Sequence, residues 1–255
     1  MSKTMNKTIV IIGAGPGIGL ETARYFGHHG YLVGLMSRNQ EKLNLIKAEL
    51  ELEGISVFNE TIDANTPESV SGSIKKLTEK LGNRLDVVLY NVPGPLGAES
   101  YVPITDLSID LLKIYLNTRV LSALETAKTT LPYLLQTSGT LLFTSGQSDR
   151  TAYPFTSAMG VPQAALRMLT THLHNEFAEK NIFVGYIPID NPPLYSDSEK
   201  ESSRSDLPLG FELENRTEAT YIAQELFNLS TKRDNLELRI EPTSLDQKNS
   251  PANKN

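Results

Sequence analysis

The chain is predicted to fold as a doubly wound α/β domain, with a parallel seven-stranded sheet and helices on both faces. Two observations carry this: short apolar runs rich in β-branched residues alternate with segments of helical spacing, and several of those runs are almost continuously hydrophobic. Regular alternation of strand and helix marks βαβ units, and a strand without polar alternation is one that helices cover on both sides. At 255 residues the chain is near the upper size for one core, so one domain is expected over residues 1–243. The polar residues 244–255 are expected to form a disordered tail.

The strand-like runs fall at Thr8 to Ile12, Tyr31 to Met36, Ile55 to Phe58, Leu85 to Asn91, Gly139 to Thr144, Ile182 to Ile187 and Leu236 to Ile240. Each is short and built from residues that suit a pleated surface. Between them, helical spacing covers Ile18 to His29, Gln40 to Glu53, Pro67 to Leu81, Ser108 to Leu135, Gly160 to Lys180 and Thr217 to Ser230. Thr66-Pro67-Glu68 places a cap residue before a proline, which a first turn tolerates because its N–H would be unpaired there anyway; Asp106 or Ser108 can cap the fourth helix. The polar stretch 191–214 contains Pro192 and Pro193 and is expected to be a loop on the substrate side.

Composition narrows the function. A hydrophobic content of 39%, a charged content of 21% and a net charge of -6 describe a soluble globule without a basic footprint, so no nucleic-acid partner is expected. There is no cysteine, hence no disulfide, thiol nucleophile or Cys-based metal site. Of the four histidines, His28 and His29 are adjacent, while His172 and His174 point to different sides of a helix, so no metal site is expected either. No apolar run reaches the roughly 18 residues of a membrane span, and the N-terminal residues lead straight into a strand; a cytoplasmic protein without a membrane partner is expected.

The first strand is followed at once by Gly13-Ala14-Gly15-Pro16-Gly17-Ile18-Gly19 and then by a helical pattern. Glycines there let the backbone turn sharply and approach a pyrophosphate, which the N–H groups and positive end of the next helix attract. At the end of the second strand, an acidic residue would accept bonds from a free ribose 2′-hydroxyl. This chain has Ser37-Arg38-Asn39 instead. The planar fork of Arg38 matches a 2′-phosphate, so NADP(H) is the expected cofactor.

The spacing of Gly13, Gly17 and Gly19 resembles that of the short-chain dehydrogenase/reductase family, and the resemblance runs from Thr8 to about Ile240. It implies cofactor contacts from Gly13, Gly15, Pro16, Gly17, Ile18, Gly19, Ser37, Arg38, Asp63, Ala64, Asn91, Val92, Pro93 and Asn117. Leu85 to Pro93 lines up with the family's fourth strand and Asn-Asn-Ala-Gly turn, of which Asn91 alone is kept. Asn117 matches the asparagine that holds a proton-relay water. The family also uses a serine, a tyrosine and, four residues later, a lysine, the last lowering the phenol pKa so that it can exchange a proton near neutrality. Counted back without gaps from Ile182-Phe183-Val184, these positions hold Gly146, Met159 and Gln163. Ser145 flanks the first, and a slipped alignment would bring in Tyr153, although Ser157 and not lysine follows it four residues on.

Three functions remain open from the sequence: an NADP(H)-binding sensor, scaffold or partner subunit with a degenerate catalytic set; an NADPH-dependent oxidoreductase of a small carbonyl or alcohol whose proton comes from Ser145, Tyr153, water or substrate; and a methyltransferase-like fold, which Arg38 disfavours. The resemblance also implies a homodimer or homotetramer built on the long fourth and fifth helices.

Overall fold

The innermost strand is β1 (Thr8–Ile12), in which every residue is buried, as a strand covered on both faces must be. On one side of it lie β2 (Leu32–Ser37) and β3 (Val57–Thr61), and on the other β4 (Val87–Tyr90), β5 (Thr140–Gly146) and β6 (Phe183–Ile189). All pairings are parallel, in the order β3-β2-β1-β4-β5-β6. The computed structural model describes residues 6–95, 100–204, 207 and 216–242. The expected tail over 244–255, and 205–206 and 208–214 of the expected loop, lie outside the described residues.

Strand alternation divides the core into two layers. Ile9 and Ile11 face α1 (Ile18–His28), α2 (Gln40–Leu52) and α8 (Ala219–Lys232), where Phe26, Leu43, Ile222 and Leu226 complete one cluster. Val10 and Ile12 face α3 (Pro67–Lys80), α5 (Ser122–Thr137) and α6 (Ser157–Phe177), where Ile74, Leu77, Ala127, Leu131 and Leu166 complete the other.

Two expectations need correction. The sheet has six strands, not seven: Leu236 to Ile240 runs beside β6 but forms only two isolated parallel bridges, Tyr186 with Glu237 and Ile189 with Ile240. Tyr186 N donates to the Leu236 carbonyl at 2.8 Å, Leu238 N to the Tyr186 carbonyl at 3.0 Å, and Ile240 N to the Pro188 carbonyl at 2.9 Å. The next rung would need an N–H from residue 188, and proline has none. The expected fourth helix is also divided, into α4 (Ile109–Leu116) and α5, by a π-helical turn over Asn117–Leu121. Such turns insert one residue into the helical ladder and recur at functional sites. Ser108 caps α4 by accepting from Leu111 N at 3.1 Å.

The strand order reverses between β1 and β4, so the crossovers leave in opposite directions and open a crevice at the carboxyl ends of the strands. Asp86 fixes the other end of this pair. Its Oδ2 accepts from Thr8 N at 2.9 Å and Arg84 Nε at 2.8 Å, and Oδ1 accepts from Arg84 Nη2 at 2.6 Å. Asp86→Ala is expected to lower unfolding free energy in urea by about 1–3 kcal/mol, because it strands a buried backbone N–H; a loss under about 0.5 kcal/mol would contradict this role.

Candidate cofactor cleft

The crevice is a cleft of about 1220 Å³, with the glycine loop as its floor. Gly13 N and Ala14 N both donate to the Met36 carbonyl, at 2.8 and 2.9 Å, which ties the loop to the end of β2. Asn91 ties it to β4 and β5, with Nδ2 donating to the Gly13 carbonyl at 3.2 Å and Oδ1 accepting from Thr144 Oγ1 at 2.7 Å. Gly13 stands at φ +95°, and a Cβ there would meet the Asn91 carbonyl oxygen at 2.3 Å, so no other residue fits without moving backbone. At Gly15 a Cβ would meet nothing within 4 Å. This is open space over bare backbone, the shape a pyrophosphate needs, and no side chain caps α1 behind it.

A second wall comes from residues 191–204 of the expected loop. It carries a short helix, α7 (Ser198–Ser202), capped by Asp197, whose carboxylate accepts from Glu199 N and Lys200 N. Tyr195 lies over the glycine loop, since a Cβ on Gly17 would meet its ring at 2.5 Å, and the Arg204 guanidinium sits 4.0 Å from the centre of the same ring. Lys200 reaches across to Glu49 of α2 at 2.9 Å.

Of the residues expected to contact cofactor, Gly13, Gly15, Pro16, Gly17, Ile18, Gly19, Ser37, Arg38, Asp63, Ala64, Asn91, Val92 and Pro93 all line this cleft. Arg38 is exposed at the end of β2 and makes no hydrogen bond or ion pair among the described residues. Asp63 closes its own turn by accepting from Asn65 N at 3.0 Å. Asn117 stands apart: its Nδ2 donates to the Asn65 carbonyl at 3.2 Å, and it is not among the lining residues.

At the far end of the cleft, Ser145, Tyr153, Met159 and Gln163 come together. Ser145 Oγ is buried and makes no hydrogen bond, and the same holds for Gln163 Oε1. Tyr153 is 40% exposed and donates to Gln147 Oε1 at 3.0 Å. A Cβ on Gly146 would fall 2.7 Å from Gln163 Nε2, so the Gln163 amide occupies the space that a side chain at 146 would take. Arg119, which sequence analysis did not single out, enters the same end from the π turn. It is 5% exposed, and its Nη1 donates to the Val92 carbonyl at 3.1 Å and to the Pro93 carbonyl.

Comparison with known proteins agrees with this architecture. The model of the family described as short chain dehydrogenase matches residues 7–192, and the chain belongs to that family. An uncharacterized oxidoreductase of Staphylococcus epidermidis is 26% identical over 196 residues, covering 75% of this chain and 82% of that protein. The solved alcohol dehydrogenase of the archaeon Thermococcus sibiricus, complexed with 5-hydroxy-NADP, superposes with a TM-score of 0.78 at 23% identity, over 93% of this chain and 97% of that one. A short-chain oxidoreductase of Pseudomonas aeruginosa PAO1, described as containing an atypical catalytic center, superposes with a TM-score of 0.78 at 16% identity, over 92% and 95% of the two chains. No helix among the described residues is long and apolar enough to cross a membrane, and no group of three or more His, Asp or Glu among them could hold a metal ion.

Proposed function

We propose that the protein binds NADP(H) in this cleft and lacks the family's tyrosine-dependent carbonyl chemistry, acting as a cofactor-responsive sensor, scaffold or partner subunit in the cytoplasm. The observation that carries the cofactor is Arg38, an exposed guanidinium on the cleft wall with no acidic neighbour bonded to it, at the end of the strand where the ribose of a dinucleotide lies. The glycine floor leaves room for the pyrophosphate, and Ser37, Asp63 and Ala64 border the adenosine end. Bound there, NADPH supplies a hydride. What the chain does not supply is the usual proton donor: Met159 has no proton to give and Gln163 has no charge to lower a phenol pKa.

Homodimer or homotetramer formation is part of the same proposal. Leu121, Leu124 and Leu135 of the π turn and α5, and Val161 and Met168 of α6, are between 38% and 57% exposed, an apolar face that a second copy would cover. Light scattering is expected to give a multiple of the 28.1 kDa chain mass at micromolar concentration; a monomer alone would contradict it.

The second reading, an active oxidoreductase with a non-standard donor, draws on the Ser145 hydroxyl, which lines this end of the cleft. Positioning beside a hydride donor alone sustains part of a rate enhancement.

NADP(H) is expected to bind at least about tenfold tighter than NAD(H), and Arg38→Ala to abolish that preference, as measured by fluorescence titration. An unchanged preference in the variant would remove Arg38 from the cofactor site. Wild-type protein with NADPH is expected to reduce activated ketones very slowly, and Met159→Tyr with Gln163→Lys to raise that rate. Gly146→Ser belongs only in that double variant, because in the wild type its Cβ meets the Gln163 amide. Rapid wild-type turnover that disappears in Tyr153→Phe would favour the second reading.

A further inference from the structure

A buried guanidinium without a carboxylate is expensive, because burial removes its water and offers a full counter-charge only if a partner is supplied. Arg119 is in that position. None of the ion pairs among the described residues includes it, and the titratable groups around it are the phenols of Tyr186, Tyr90 and Tyr115, which carry no charge near neutrality. Desolvation accordingly pulls its pKa below the ordinary arginine value. Of the acids near this end, Asp149 pairs with Arg150 at 2.6 Å, and Asp190 pairs through Oδ2 with Arg239 at 3.0 Å while its Oδ1 is buried without a hydrogen bond. The guanidinium has five donors, and the two on Nη1 face the Val92 and Pro93 carbonyls. Nε is buried with no partner, and the hydrogen bonds of the guanidinium among the described residues are both made by Nη1, none by Nη2.

Two further groups at this end of the cleft share the shortfall, the Ser145 hydroxyl and the Gln163 amide oxygen. Tyr186 connects them to Arg119. Its hydroxyl donates to the Gln163 carbonyl at 3.4 Å, and its phenol interacts with both Ser145 and Arg119. Arg119, Ser145 and Gln163 thus line one end of the cleft, where the guanidinium and the serine hydroxyl are the donors and the Gln163 amide oxygen is an acceptor.

We propose that this end of the cleft binds a small carboxylate, an oxo acid or the corresponding hydroxy acid, with Arg119 holding the carboxylate group. Unclaimed donors on Nε and Nη2 lie along one edge of the guanidinium, the arrangement that accepts a carboxylate through two parallel hydrogen bonds. The inference rests on the NADP(H) reading above, which places the nicotinamide at the same end, but it holds for a sensor as well as for an enzyme.

The test is binding of 2-oxopentanoate, 4-oxopentanoate and 5-oxohexanoate, each against neutral 2-pentanone and 2-hexanone, to wild-type protein saturated with NADPH. The readouts are NADPH fluorescence and thermal stabilisation. At least one oxo acid is expected to bind at least tenfold tighter than the neutral ketones, and Arg119→Met to remove that advantage while NADPH affinity stays within about threefold of wild type. Arg119→Lys, which keeps the charge and loses the fork, is expected to fall between the two. Equal binding of acids and ketones by the wild type overturns the proposal without any variant, as does an advantage that survives in a folded Arg119→Met protein. Loss of NADPH binding in Arg119→Met with oxo-acid binding retained would also overturn it, by giving Arg119 to the cofactor. Failure of the wild type to bind NADPH at all would instead contradict the cofactor reading.

Discussion

The structure depends on one constraint, the left-handed backbone of Gly13 held between three strand ends. Met36 of β2 accepts the N–H groups of Gly13 and Ala14, Asn91 after β4 donates to the Gly13 carbonyl, and Thr144 of β5 holds Asn91 in place. The carboxyl ends of β1, β2, β4 and β5 are thereby locked to a loop that has no room for a Cβ at its first position. The bare backbone of Gly15, the start of α1 and the position of Arg38 all follow from where that loop turns. A dinucleotide site here is a property of the sheet, since the same bonds that align the strands shape the floor of the cleft.

The two ends of the cleft differ in kind. At the adenosine end the charged side chains, Arg38 and Asp63, are exposed, and an exposed charge can wait for a ligand at little cost. At the other end, Arg119, Ser145 and Gln163 are buried with polar atoms unmet. In a native core such atoms are rare and call for an explanation, and four cleft-lining residues, Arg119, Ser145, Gln163 and Asp190, carry one each. Gly146 and Gln163 also act as a pair: a glycine at one leaves the space that the amide of the other fills. A side chain added at position 146 alone would therefore collide with the Gln163 amide, so the two positions change their packing together.

Most of the fold was legible in the sequence because hydrophobic period and glycine placement are local signals. Strands β1 to β6 lie within two or three residues of the apolar runs that announced them. Leu236 to Ile240 looked like a strand for the same reason, and failed as one because of Pro188, forty-eight residues before the segment begins; pairing is not written in the strand's own residues. The division of the fourth helix was hidden because Asn117 to Leu121 contains no proline or glycine to mark a break. Cofactor-side residues were legible from spacing, and all but Asn117 reach the cleft. Arg119 was missed. Its neighbours Asn117, Thr118 and Ser122 are polar, so the local pattern carried no sign of burial, and it is the π turn that carries Arg119 into the cleft.

The central claim is a dinucleotide cleft whose nicotinamide end has no tyrosine–lysine pair. A crystal structure of the wild-type protein with NADPH bound tests it most directly. The account predicts the 2′-phosphate on Arg38, the pyrophosphate over Gly15, and Met159 and Gln163 beside the nicotinamide with no phenol hydroxyl within hydrogen-bond reach of a carbonyl placed at C4. A structure in which Tyr153 has moved to offer its hydroxyl at that point, or in which the 2′-phosphate lies away from Arg38, would contradict it.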